Sequence, residues 1–133
     1  MLRISKLADY STVVMSYLAR EPDRMHNARD IMEHTHIALP TISKILKILA
    51  KSGLLRSHRG INGGYTLIVS PDQISIAQIL AAMEGNLALT ECSGQHSHCS
   101  IEPICHIRSN WRSISHVVQE SLKKITLADM LRS

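Results

Sequence analysis

The chain has 133 residues, enough for one domain or a small domain with an added element, and too few for a multidomain enzyme. Hydrophobic residues make up 44%, so a core can form without disulfide staples, and with aromatics at 3% and no Phe it must be filled by Leu, Ile, Val, Ala and Met. The net charge of +4 is uneven: residues 1–66 carry ten basic and five acidic side chains, residues 67–133 five and six. No apolar run approaches the ~20 residues of a membrane span. Met1 to Tyr10 lack the apolar core of a signal peptide, so a soluble cytoplasmic protein is expected.

Leu7, Tyr10, Val14 and Leu18 recur at helical spacing, Ser5 stands where a cap belongs, and Pro22 ends the helix. Asn27 caps a short second helix over residues 28–34, with Ile31 and Met32 apolar. After a turn at residues 35–39, Pro40 suits the first turn of a third helix, where its missing N–H has no intrahelical partner. Ile42, Ile45, Leu46 and Leu49 make the apolar face of that helix, and Gly53 stops it. Residues 54–58 and 65–69 predict two strands joined by Arg59-Gly60-Ile61-Asn62-Gly63-Gly64, with Pro71 ending the second.

Ser75 starts a helix through Ile76, Ile79, Leu80 and Met83 that closes at Gly85. Residues 86–104 are polar and predict a loop. From about Cys105 to Met130 a long helix is predicted. Its apolar positions Ile107, Trp111, Ile114, Val118, Leu122 and Ile125 form a stripe suited to a partner helix.

Three helices followed by a two-stranded hairpin is the order of a winged helix-turn-helix. The expected fold is therefore mainly α. It divides into a winged helix-turn-helix domain over residues 1–85, a cysteine-containing loop over 86–105, and a dimerisation helix and tail over 106–133. Lys44, Lys47 and Lys51, at i, i+3 and i+7, share one face of the third helix. With Arg56 and Arg59 they make five basic residues and no acid between positions 44 and 59, which points to a polyanion such as double-stranded DNA.

Thr41 and Ser43, near the start of the third helix, are placed to reach base edges. Arg59, Gly60, Asn62 and Gly63 form a tip that suits a minor groove or phosphates. A solvated lysine face is the plainer reading of the third helix alone; the hairpin that follows it favours DNA. The glycine run is a poor nucleotide loop, because no Gly-Lys-Ser/Thr follows and no helix opens there. No catalytic carboxylate pair, Ser/His/Asp signature or phosphate loop is recognisable, so an enzyme is not expected.

Cys92, Cys99 and Cys105 are the only cysteines, with six and five residues between them, among His96, His98 and His106. An odd count within 14 positions suggests a metal site more than disulfides. Zinc usually shows tighter Cys pairs. Wider thiolate spacing ranks an iron–sulfur cluster first, zinc second and inert or redox thiols third. Most histidines, such as His26, His34 and His116, are expected at the surface.

These residues resemble the Rrf-type family of winged-helix regulators, with its IscR- and NsrR-like members. The likeness runs through Met1-Leu2-Arg3-Ile4-Ser5-Lys6, Arg59-Gly60-Ile61-Asn62-Gly63-Gly64-Tyr65-Thr66-Leu67, the three cysteines and Trp111-Arg112. The opening through Val14 is most similar to the subgroup regulating SUF-type iron–sulfur assembly genes. The resemblance implies a homodimer held by the long helices, reading a pseudo-palindromic promoter site. It also implies an iron–sulfur cluster, 2Fe–2S or 4Fe–4S, on Cys92, Cys99 and Cys105 of each subunit. Loss or gain of that cluster would change DNA binding. A redox, nitric-oxide or zinc switch at the same cysteines is the alternative.

Two positions depart from the pattern. Relatives usually have five residues between the first two cysteines, where this chain has six. The position three beyond the last cysteine, a histidine ligand in IscR-like members, is Arg108, which cannot coordinate. NsrR-like members use an aspartate from the partner's first helix, and Asp9 matches that position; it is favoured over His106 as fourth ligand. A carboxylate stabilised by the helix dipole is the plainer reading of Asp9.

Overall fold

Helix α1 (Lys6–Arg20) begins where Ser5, in extended backbone, accepts a hydrogen bond from the Ala8 N–H at 3.1 Å. The computed structural model, which describes residues 3–85, 87–94 and 98–132, continues into α2 (Ala28–Thr35) and α3 (Leu39–Lys51). Asn27 caps α2 by accepting from the Asp30 N–H at 2.9 Å. Pro40 sits in the first turn of α3. That helix closes by a Schellman arrangement: Gly53, at φ +84°, donates to the Ala50 carbonyl and Leu54 to that of Leu49.

Leu54 and Leu55 are buried, so the chain leaves α3 anchored to the core and enters the hairpin directly. Strands β1 (Leu55–His58) and β2 (Gly64–Leu67) pair antiparallel, with Leu55 opposite Leu67 and His58 opposite Gly64. Helix α4 (Ile76–Glu84) opens with a reciprocal capping box between Ser75 and Gln78. The core lies between α1, α3 and α4. Val14, Met15, Leu18, Ile31, Ile42, Ile45, Leu46, Leu49 and Ile79 are fully buried there. All but Met15 are periodic apolar positions read from the sequence, so hydrophobic burial explains the helical unit.

The hairpin is docked by a contact no periodicity marks. The His26 N–H donates to the Tyr65 carbonyl at 2.9 Å, and the Tyr65 N–H to that of His26 at 2.7 Å. This bridge corrects the expectation that His26 lies at the surface. It is 2% exposed, with Nε2 3.0 Å from the Glu21 carbonyl and its ring edge-on to Tyr17. Backbone pairing with β2 draws the residue inward. His34 and His116 are exposed, as expected.

The long helix is shorter than predicted. Helix α5 spans Arg108–Lys124, and Ile125 is extended, its carbonyl accepting from the Ile76 N–H at 2.9 Å. Thr126 and Asp129 form a new capping box and start α6 (Leu127–Met130). The Thr126 N–H, then its hydroxyl, hold the Asp129 carboxyl below the usual carboxylate range. Leu127 is fully buried and its N–H donates to the Ile74 carbonyl at 2.8 Å. Ile125 fits the apolar stripe, but Thr126 offers a cap and Leu127 a core contact, and together these outweigh helix continuation.

Candidate nucleic-acid interface and cysteine segment

The buried face of α3 dictates what its other face presents. With Ile42, Ile45, Leu46 and Leu49 inward, Lys44, Lys47 and Lys51 are exposed, and Thr41 and Ser43 are half-buried at the start of the helix. Among the described residues none of these lysines, nor Arg56 or Arg59, is ion-paired within the chain. Their charge is left for a partner. Ala38 supplies no side-chain cap and the first turn holds no acid, so the positive end of the helix dipole is uncompensated.

The tight tip of the hairpin has backbone causes. Gly60 has φ +112°, and the Gly63 N–H donates to its carbonyl at 3.0 Å. A Cβ at Gly63 would stand 2.3 Å from the His58 carbonyl oxygen, and one at Gly64 2.6 Å from that of His26. The His58 ring and the Thr66 hydroxyl, 3.0 Å apart, link the strands side by side. Arg59, Gly60 and Asn62 are exposed at the tip and Gly63 is half-buried. Every residue expected to meet DNA thus lies on α3 or on the hairpin that follows it.

The segment after α4 is less featureless than the sequence suggests. Two single 3-10 turns lie in it, Glu91–Ser93 and Glu102–Ile104. Cys92 is buried in the first, its Sγ 3.3 Å from the Thr90 hydroxyl; Cys99 and Cys105 are half-buried. His98 and His106 are exposed, and His96 lies outside the described residues. Asp9 is exposed in the first turn of α1. Among the described residues no three His, Cys, Asp or Glu side chains are gathered as a metal site.

Sequence reading missed a polar seam between this segment and α5. Arg112 Nε donates to the Cys92 carbonyl at 3.1 Å. The Ser115 hydroxyl donates to Ser93 Oγ at 3.0 Å and accepts from the Leu89 N–H at 3.1 Å. Gln119 Nε2 donates to the Leu87 carbonyl at 3.3 Å. Glu102 takes an ion pair from Arg108 and stands 3.6 Å from an Arg112 Nη. Arg108, Arg112, Ser115 and Gln119 step by four, three and four, so one polar helix face was legible beside the apolar stripe.

A three-helix unit that bares lysines on its third helix, joined to a glycine-tipped hairpin, defines a winged-helix DNA-binding protein. The model of the Rrf2 family, an iron-dependent transcriptional regulator, matches residues 4–133, and the chain belongs to that family of transcriptional regulators. The chain is similar to the transcriptional regulator NsrR of Halalkalibacterium halodurans, at 27% identity over 98% of this chain and 90% of that one. Its fold is similar to that of CymR, the global cysteine regulator of B. subtilis (26% identity, TM-score 0.78, 99% of this chain and 98% of that one). It is also similar to IscR of T. potens (28% identity, TM-score 0.76, 98% and 87%). These relatives are regulators rather than enzymes. Among the described residues no helix is long and apolar enough to cross a membrane.

Proposed function

We propose that this chain is a homodimeric, cytoplasmic DNA-binding regulator that senses iron–sulfur cluster status and controls iron–sulfur assembly genes of the SUF type. Residues 1–85 bind DNA, 86–105 carry the sensor, and 106–133 form the dimerisation helix and tail. Thr41, Ser43 and Lys44 read base edges in the major groove. Lys47 contacts phosphate. Arg59, Gly60, Asn62 and Gly63 place the wing on the adjacent groove. Lys47→Ala is expected to weaken binding to all sequences alike and to reduce the slope of log affinity against log salt by about 1. An unchanged slope removes Lys47 from the interface.

The observation that carries the sensing role is the polar seam, because it ties the cysteine segment to the helix that sets subunit spacing. Cys92, Cys99 and Cys105 would hold a 2Fe–2S or 4Fe–4S cluster, with Asp9 of the partner subunit as fourth ligand. The donor chemistry fits, since thiolates are what such clusters take. The described donors are not gathered, so holding a cluster requires them to draw together.

When bound, the cluster supplies a tie between thiolates that iron supply, oxygen or nitric oxide can break. Arg112 and Ser115 then pass the position of the Cys92 segment to α5. Two α3 helices reading half-sites one turn apart must stand ~34 Å apart, so a shift of α5 alters affinity. A 100-fold change needs only ~2.7 kcal/mol of differential binding.

Direct thiol or zinc sensing is the second reading. The likeness to CymR favours it, with the half-buried Cys99 and Cys105 more open to reagents than the buried Cys92. The deciding experiment is a visible spectrum of protein purified without oxygen, with iron and sulfide counted per chain. A brown protein holding both elements supports the cluster. A colourless protein that also resists reconstitution excludes it and leaves the thiol or zinc switch.

A further inference from the structure

Ile61 occupies the corner of the Gly60–Gly63 turn, and its side chain is 105% exposed, as open as in an unfolded peptide. Turn corners are normally filled by Gly, Pro, Asn, Asp or Ser, each for a backbone reason. A β-branched aliphatic side chain serves none of those reasons here and packs against nothing in the fold. The positive φ of Gly60 and the close approach of Gly63 to the His58 carbonyl fix the turn that carries it. The paired strands run three steps from the Leu55–Leu67 rung to the His58–Gly64 rung, about 10 Å at ~3.3 Å per residue, and Ile61 lies beyond that last rung.

The surroundings indicate what this side chain meets. Its exposed neighbours are Arg59 and Asn62, and no acidic residue lies between Glu33 and Asp72. An apolar tip flanked by a guanidinium and an amide is matched to a groove floor walled by phosphates. We propose that Ile61 is a specificity-determining residue, seated in the minor groove beneath the wing, where it selects A·T over G·C pairs. The proposal rests on the DNA binding of this regulator class.

Its chemistry is subtractive. In the minor groove G·C differs from A·T by the guanine N2 amino donor. An aliphatic side chain covers that donor from water and accepts no hydrogen bond from it, which penalises G·C. The purine N3 and pyrimidine O2 acceptors are covered alike in both pairs, so their desolvation cancels and the guanine amino group remains as the difference; over A·T the groove also narrows around the side chain.

The test uses an operator selected by the wild-type protein from random duplexes, with its minor-groove-protected pairs located by hydroxyl-radical cleavage. Those pairs are then made A·T, G·C or inosine·C; the last keeps the major-groove face of G·C and lacks the amino group. Wild-type protein is expected to bind the A·T and inosine·C duplexes within about twofold of each other, and G·C about tenfold more weakly, a typical cost per altered pair. Ile61→Ala is expected to bind all three within about twofold while its salt dependence stays that of wild type. Equal wild-type binding to G·C and inosine·C overturns the proposal. So does an Ile61→Ala variant that keeps the wild-type preference, or the absence of minor-groove protection. Wild-type protein that selects no duplex at all contradicts DNA binding itself, which separates failure of the wing-tip reading from failure of the function.

Discussion

Ile114→Glu is expected to convert the protein to a monomer at micromolar concentration and to weaken operator binding by about 100-fold or more, since half-site contacts then no longer act together. Helix α5 buries only Ser115, while Trp111, Ile114 and Val117 are exposed along it and Ile107 is exposed at its N-cap. In the proposed homodimer this apolar stripe is the surface that the partner's α5 covers. A groove lined by Ile4, Leu80, Leu87, Leu89, Val118 and Leu122, with Arg3, Ser5 and Glu84 among its polar residues, runs beside the same helix.

In a twofold dimer each substitution enters the interface twice. Desolvating a carboxylate with no partner costs several kcal/mol per ion. The side chain is exposed in the isolated chain, so folding is expected to survive the change. Sedimentation and circular dichroism check both halves of the result. A variant that stays dimeric and binds its operator normally places the dimer contact elsewhere.

Arg112→Ala is expected to leave the cysteines able to take up iron and sulfide while the response of the DNA affinity to them is strongly reduced. One guanidinium reaches both arms of the segment: Nε holds the Cys92 carbonyl, and an Nη stands 3.6 Å from Glu102, three residues before Cys105. Glu102 is half-buried and keeps its ion pair with Arg108 in the variant, so that arm is weakened rather than freed. A hydrogen bond to a charged group contributes about 1.5–3 kcal/mol, comparable to the ~2.7 kcal/mol that a 100-fold switch requires. The ratio of operator affinities with and without bound iron is therefore expected to fall from about 100 toward 1. Arg112→Lys, which retains charge without the forked donor, is expected to restore the ratio only partly. An undiminished ratio in Arg112→Ala shows that the signal travels by another route.

The legible parts of this molecule are those built from repetition. Helices α1 to α4 follow from apolar spacing and from Ser5, Asn27, Gly53 and Ser75, because caps and periodicity are local signals. The lysine face of α3 was legible for the same reason. The His26–Tyr65 bridge was not, since a single pair between distant segments leaves no period. The break at Ile125 was hidden because the apolar stripe runs straight through it, and the Thr126 cap and the burial of Leu127 together explain why the chain turns. The cysteines announced themselves by type and spacing. Their attachment to α5 depends on Arg112, Ser115 and Gln119, residues of common type that acquire meaning only from their contacts.

The most direct test of the account is the operator affinity of one anaerobic wild-type preparation, measured by fluorescence anisotropy before and after iron is removed with a chelator. A parallel series uses the Cys92→Ala, Cys99→Ala, Cys105→Ala triple variant. The account predicts a change of about 100-fold in the wild type, the scale set by ~2.7 kcal/mol, and none in the triple variant. Identical affinities in the wild type under both conditions, or an equal response from the triple variant, would contradict it.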